Sequence, residues 1–162
     1  MCFSAEVSFT ASAVLVVSGV IAVKKVSSKE QLLFASIPFI FAAQQFVEGV
    51  LWLSYTHPGF ALFRQASTIL FLVFAQVIWP FWVPLSVLLV EKNPVRKNII
   101  KPFLLVGITF SVYVSYCLFF YPVTGYPESH HLKYELGFPL AHSLIAAVFY
   151  FIPTVLSCVV SS

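Results

Sequence analysis

The sequence has no aspartate, a single methionine, and charged residues amount to 9% of its 162 positions, against roughly 25% in a soluble domain. So little charge excludes a water-soluble globular domain of this length. Lysine and arginine nowhere cluster with stacking aromatics on a solvated face, which argues against nucleic acid as a partner. The three cysteines, Cys2, Cys117 and Cys158, form no CxxC pair, so zinc-finger and thioredoxin signatures are missing. An HExxH spacing is missing as well, and there is no internal repeat or low-complexity tract. What the sequence has instead is 60% hydrophobic residues, with 18 Phe, 7 Tyr and 3 Trp, and a mean hydropathy of +0.95. This composition predicts an all-α, polytopic transmembrane helical bundle forming a single integral membrane domain over 1–162.

The stretch that organises the chain is Leu32 to Tyr55, LLFASIPFIFAAQQFVEGVLWLSY. A bilayer span needs about 20 residues at ~1.5 Å of rise each, so this stretch is long enough to cross. It holds Glu48, the one acidic residue within a hydrophobic segment. At about 100° per residue, Phe41, Gln44, Gln45, Glu48, Trp52 and Tyr55 share one arc, while Phe39, Ala43, Phe46, Val50 and Leu53 lie opposite. The second face suits lipid tails. A carboxyl in the hydrocarbon region costs on the order of 3 kcal/mol on insertion scales, so Glu48 should face other helices or a wet cavity.

Five spans are expected, at about 7–23, 32–55, 66–90, 99–121 and 139–160. Ser4 is a suitable N-cap for the first, with Glu6 in its first turn. A cleaved signal peptide is the rival reading of that segment, but no positive residue precedes it and Lys24-Lys25 follow it without a small-x-small site. Pro139 is a natural first residue for the fifth span, and Pro122 to Phe138 is the longest polar stretch. Of nine Lys and Arg, seven lie in the loops after spans one and three, Lys101 included, and only Arg64 and Lys133 on the other side. The positive-inside rule then places the N-terminus outside and the C-terminus in the cytoplasm of a cell membrane protein.

That orientation gathers the candidate residues. Glu48 is seven residues inside the outer end of its span, hence ~10 Å deep. His57, His130, His131 and His142 all fall on or near the outer face. They are residue types that bind zinc, but without a ligand spacing they are better read as ordinary loop and helix-end side chains, and no cofactor is favoured. Cys2 and Cys117 both fall toward the outer side, where a disulfide is one reading and packing of Cys117 on its helix the preferred one. In the third span, Pro80 leaves the carbonyl of Gln76 without its helical donor, and Pro84 does the same to Pro80. A plain packing kink is the simpler account of the two prolines. The alternative is a polar pocket of Glu48, Gln44, Gln45, Trp52 and Gln76, with Tyr113 and Tyr116 nearby.

The opening MCFSAEVSF, the QQxxEGxxW of the second span and the PFWVPL of the third together resemble an uncharacterised family of prokaryotic multi-pass membrane proteins. Its members open Met-Cys-Phe-Ser or Met-Cys-Trp-Ser and carry an acid and a Trp four residues apart in the second helix. Tyr134 to Gly137 matches a later Tyr-x-x-Gly. The resemblance covers most of the chain and implies no molecular activity. Typical members run longer, with further hydrophobic segments after the fifth, so the resemblance implies either a shortened relative or a chain cut after that helix.

The functional expectation is a non-enzymatic membrane module that binds a lipid, small molecule or ion at an outer-leaflet pocket around Glu48. Membrane lipid, another copy of the chain or further helices are its expected partners. The alternative is a metal-dependent, ceramidase-like membrane hydrolase using outer-face His and Glu with zinc. Against it stands the missing aspartate and the lack of paired helical histidines. A proton-coupled transporter with Glu48 as carrier is disfavoured by five helices without repeats.

Overall fold

A computed structural model describes residues 4–128, 131–139 and 143–161. It holds five helices long and apolar enough to cross a membrane: α1 Ala5–Lys24, α2 Lys29–Thr56, α3 Pro58–Val90, α4 Pro94–Phe120 and α5 Leu144–Ser161. Between α4 and α5 lies an antiparallel hairpin, β1 Val123–Glu128 and β2 His131–Leu136, in a register that pairs Gly125 with Tyr134. The hairpin is the main departure from expectation, because this stretch reads as a polar loop.

Local chemistry explains where the helices start and bend. Ser4 caps α1, its Oγ accepting from the Val7 N–H at 3.4 Å, and Asn93 caps α4 by accepting from Val95 and Arg96. α5 begins not at Pro139 but at Leu144, where the Ser143 hydroxyl accepts from the Ala146 N–H at 3.1 Å. Ser143 can satisfy an orphan N–H that proline cannot reach. α2 bends at Ser36, ahead of Pro38. α3 widens into a π-turn over Val73–Ile78, just before Pro80, which relieves the clash a proline ring makes with the preceding turn. The carbonyl that a neighbouring helix satisfies there is that of Val77, which accepts from Ser111 Oγ of α4 at 2.6 Å.

Helix packing follows small residues and freed carbonyls. α1 lies along α2, with Ser12 Oγ donating to the Ala42 carbonyl at 2.8 Å and the Phe39 ring over Gly19. Phe39 therefore meets α1 rather than lipid, and Leu53 packs beside the buried Leu51 and Trp52. The expectation that both face outward fails because helical periodicity gives a direction without saying that α1 covers it. α3 and α4 touch backbone to backbone: a Cβ on Gly107 would stand 1.8 Å from the Pro80 carbonyl oxygen. This is the oxygen that Pro84, lacking an N–H, leaves without a helical donor.

The core is concentrated under the hairpin. One buried cluster joins Leu72, Phe110, Val114, Cys117 and Leu118 to Val123 and Phe138. The other joins Ala5, Leu51 and Trp52 to Leu132. Cys117, 1% exposed, is a packed core side chain; the disulfide reading falls on Cys2, outside the described residues.

At the opposite end, Glu91 ties α5 to the α3–α4 turn. Its carboxylate accepts from the backbone N–H groups of Lys92 and Asn93, each at 2.8 Å, and from Ser161 Oγ at 2.7 Å, while Arg96 donates to the Ser161 carbonyl at 3.0 Å. The Asn93 N–H foremost, then the Ser161 hydroxyl, hold the Glu91 carboxyl below its ordinary value of 4.5. A depressed pKa stabilises the fold above the unfolded value, and this contribution is lost as pH falls through the folded one. Thermal melts in detergent from pH 7 downward should therefore show an acid-side loss beginning near 4.5 that Glu91→Gln diminishes. An unaltered acid limb in that variant would show that the clasp contributes nothing.

Candidate functional site

Glu48 lies on α2 and is 1% exposed. Gln45, one turn earlier, donates from Nε2 to its Oε2 at 3.0 Å. Trp52, one turn later, is 8% exposed, as Leu132 of the hairpin is buried beside it. From α3, Thr68 is 1% exposed and donates to the Arg64 carbonyl. Gly125 of β1 lies against it, with an added Cβ standing 3.2 Å from Thr68 Oγ1.

The hairpin roofs this carboxyl. Tyr134 of β2 stacks on Phe71 of α3, with centroids 5.0 Å apart and planes at 4°. Its hydroxyl is buried without a hydrogen-bond partner among the described residues. Burial, reinforced by the charges of Glu48 and Tyr55, drives the Tyr134 pKa far above the ordinary phenol value. Tyr134 is thus a neutral phenol close to the Glu48 carboxyl. Tyr55 of α2 donates its hydroxyl to the Gly125 carbonyl, and Gln65 of α3 donates to the Val123 carbonyl at 3.1 Å. Arg64 sits 4.3 Å over the Tyr55 ring and donates to the Ser54 carbonyl at 2.6 Å. The roof is thereby moored to both helices.

Its solvent face carries the hairpin's charges. Lys133 pairs with Glu128 at 3.1 Å, and Tyr126 donates to Glu135 at 3.0 Å. The sequence β2, His131-Leu132-Lys133-Tyr134-Glu135-Leu136, alternates polar and apolar residues, and the exposure alternates with it. That period of two was the available signal for a half-buried strand, and it identifies Leu132 and Tyr134 as the missed members of the site.

The other expected residues disperse. Gln44, 5% exposed, accepts the Trp79 indole N–H on its Oε1 at 2.9 Å and faces a different space, described below. Gln76 is half-buried in the π-turn of α3. Tyr113 donates to the Pro139 carbonyl at 2.5 Å and lines an apolar cleft with Phe110 and Phe149. Tyr116 is 56% exposed and lies against Phe120 with centroids 4.6 Å apart. The expectation that these two tyrosines adjoin a Glu48 pocket is thus not met: α4 turns one toward α5 and the other outward.

Of the histidines, His57 is exposed and pairs with Thr56 Oγ1 at 2.9 Å, and His131 lies 3.7 Å from Glu128. His130 and His142 lie outside the described residues. Among the described residues no group of three His, Cys, Asp or Glu is placed to hold a metal ion.

The chain belongs to DUF6629, a family of unknown function whose model matches residues 1–162. No curated protein and no solved structure matches it.

Proposed function

We propose that this member of a family without known activity is a membrane-embedded binding module. In this reading the Glu48 carboxyl contacts the ligand and the β1–β2 hairpin covers it from the outer leaflet. The observation that supports it is a carboxyl 1% exposed inside an apolar bundle, beneath a strand whose Tyr134 hydroxyl is buried without a described partner. An ionisable group at such depth is a functional candidate by default. A site this closed suits a small ion or a polar head; a larger molecule requires the hairpin to lift.

Native mass spectrometry of protein extracted in mild detergent tests the reading, with Glu48→Gln alongside. A bound species retained by the wild type and lost in the variant is the expected result. Identical spectra for the two proteins would return Glu48 to a structural role.

The proposed orientation is N-terminus outside and C-terminus cytoplasmic, supported by the seven-to-two division of basic residues under the positive-inside rule. In a cysteine-free background, a cysteine at Glu128 should react with an impermeant maleimide added to intact cells, and one at Ser28 should react only after permeabilisation. The reverse pattern would invert the topology.

A further inference from the structure

A second space opens between α2, α3 and α5, a cleft of about 270 Å³ walled by Phe41, Ala75, Trp79, Val83 and Tyr150, with Gln44 facing it. Its chemistry differs from that of the Glu48 site. The Trp79 indole N–H lies 2.9 Å from the Gln44 amide. Because an indole only donates, the amide atom facing it is the oxygen, which fixes the amide's orientation. The Nε2 group must then point away from Trp79, and no described residue accepts from it. Of the other polar side chains at the cleft, Thr154 donates its hydroxyl to the Tyr150 carbonyl at 2.6 Å, and Tyr150 contributes a phenol. Gln44 thus offers an unused donor to a space walled mainly by apolar and aromatic groups.

Depth selects what can answer that donor. Gln44 is near the middle of the helix Lys29–Thr56, roughly 18 Å from its outer end. The hydrocarbon region is about 30 Å thick, so the esters of glycerolipids and the hydroxyls of sterols stay near the interface. Such lipids would bring only methylenes to Gln44 and leave an amide N–H unpaired in hydrocarbon, an arrangement apolar surroundings penalise. The matching occupant is uncharged, lives in the bilayer interior and carries an acceptor oxygen there. A flat ring suits walls made of Phe41, Trp79 and Tyr150.

We infer that this cleft binds the head ring of an isoprenoid quinone, one carbonyl oxygen accepting from Gln44 Nε2. The inference rests on the helices spanning a bilayer but not on Glu48, which does not line the cleft. The probe is decylubiquinone, with decylbenzene as a control of like tail and ring but no carbonyl. Melts of the purified protein in mild detergent, followed by far-UV circular dichroism, give the readout. A ligand that binds only the folded state raises its melting temperature.

Decylubiquinone should raise it by several degrees and decylbenzene should not. Gln44→Met, which removes the donor, and Ala75→Phe, which fills the space while leaving the Trp79–Gln44 pair intact, should each lose the rise when read against their own unliganded melts. Two variants keep the test decisive should one fail to fold. An equal rise with decylbenzene, no rise with either compound, or an undiminished rise in either variant would overturn the inference. Because Glu48 is untouched throughout, none of these outcomes bears on the reading of the carboxyl.

Discussion

Gly107→Ala should destabilise the bundle more than any other single methyl addition, by about 3 kcal/mol or more. The added Cβ would stand 1.8 Å from the Pro80 carbonyl oxygen and 2.7 Å from its carbon, and both belong to backbone. A side chain that is struck can change rotamer, but this obstacle moves only if α3 and α4 separate. Separation would also break the hydrogen bond from Ser111 to the Val77 carbonyl. Two other glycines calibrate the effect. At Gly49 the methyl meets the Phe9 ring at 2.7 Å, a side chain able to swing, so the loss there should be smaller. At Gly59 nothing lies within 4 Å, and alanine should change stability by no more than about 0.5 kcal/mol. Melting temperature in detergent, with monodispersity by size exclusion, checks the order Gly59, Gly49, Gly107. A Gly107→Ala protein as stable as the Gly59→Ala protein would refute the close helix contact.

The second large effect concerns Glu48, where two substitutions separate structure from function. Glu48→Gln preserves size and can still accept from Gln45, whose Nε2 now donates to Oε2 at 3.0 Å. Stability should change by less than about 1 kcal/mol, the usual range of polar contacts within membranes. What the amide cannot do is carry a charge, so any ion or proton dependence, and any species retained through the carboxylate, should disappear. Glu48→Leu keeps the volume and removes the acceptor. Gln45 then loses a partner beside a side chain that is 1% exposed, at a cost of about 1–3 kcal/mol. The informative pattern is a stable Gln variant without ligand and a destabilised Leu variant. If both variants melt like the wild type, the carboxyl contributes to neither property.

These expectations depend on the hairpin remaining over the site. Leu132, 6% exposed, and Tyr134, stacked on Phe71 at 5.0 Å, hold it there through apolar contact. Tyr55 and Gln65 hold it through its backbone carbonyls. A ligand that must displace the roof gives up these contacts, so access to Glu48 is coupled to the packing of the core under the hairpin.

Five helices were legible before any fold was known, because apolar runs interrupted at Lys24-Lys25, His57-Pro58-Gly59 and the basic loop Glu91 to Lys101 have only helical hydrogen bonding open to them when they cross a bilayer. The same pattern turns Glu48, Gln44 and Trp52 inward, since a 100° step places them on one face and their exposures are 1%, 5% and 8%, whereas Phe41 on that arc is 42% exposed. What meets that face depends on contacts between helices. Periodicity assigns a direction to a side chain and is silent about the neighbour, so Phe39 belonged to a lipid arc until α1 placed Gly19 beneath its ring. Gln44 and Glu48, neighbours on α2, entered separate sites because Trp79 captured one amide oxygen and the hairpin covered the other side chain. The alternation of Leu132, Tyr134 and Leu136 with charged residues is a strand signal that reading Pro122 to Phe138 as a polar stretch passed over, and nothing in it gives the strand's destination. That depends on contacts far apart in the chain, such as Tyr55 with Gly125 and Phe71 with Tyr134, which form only once the bundle has brought the hairpin-side ends of α2 and α3 together.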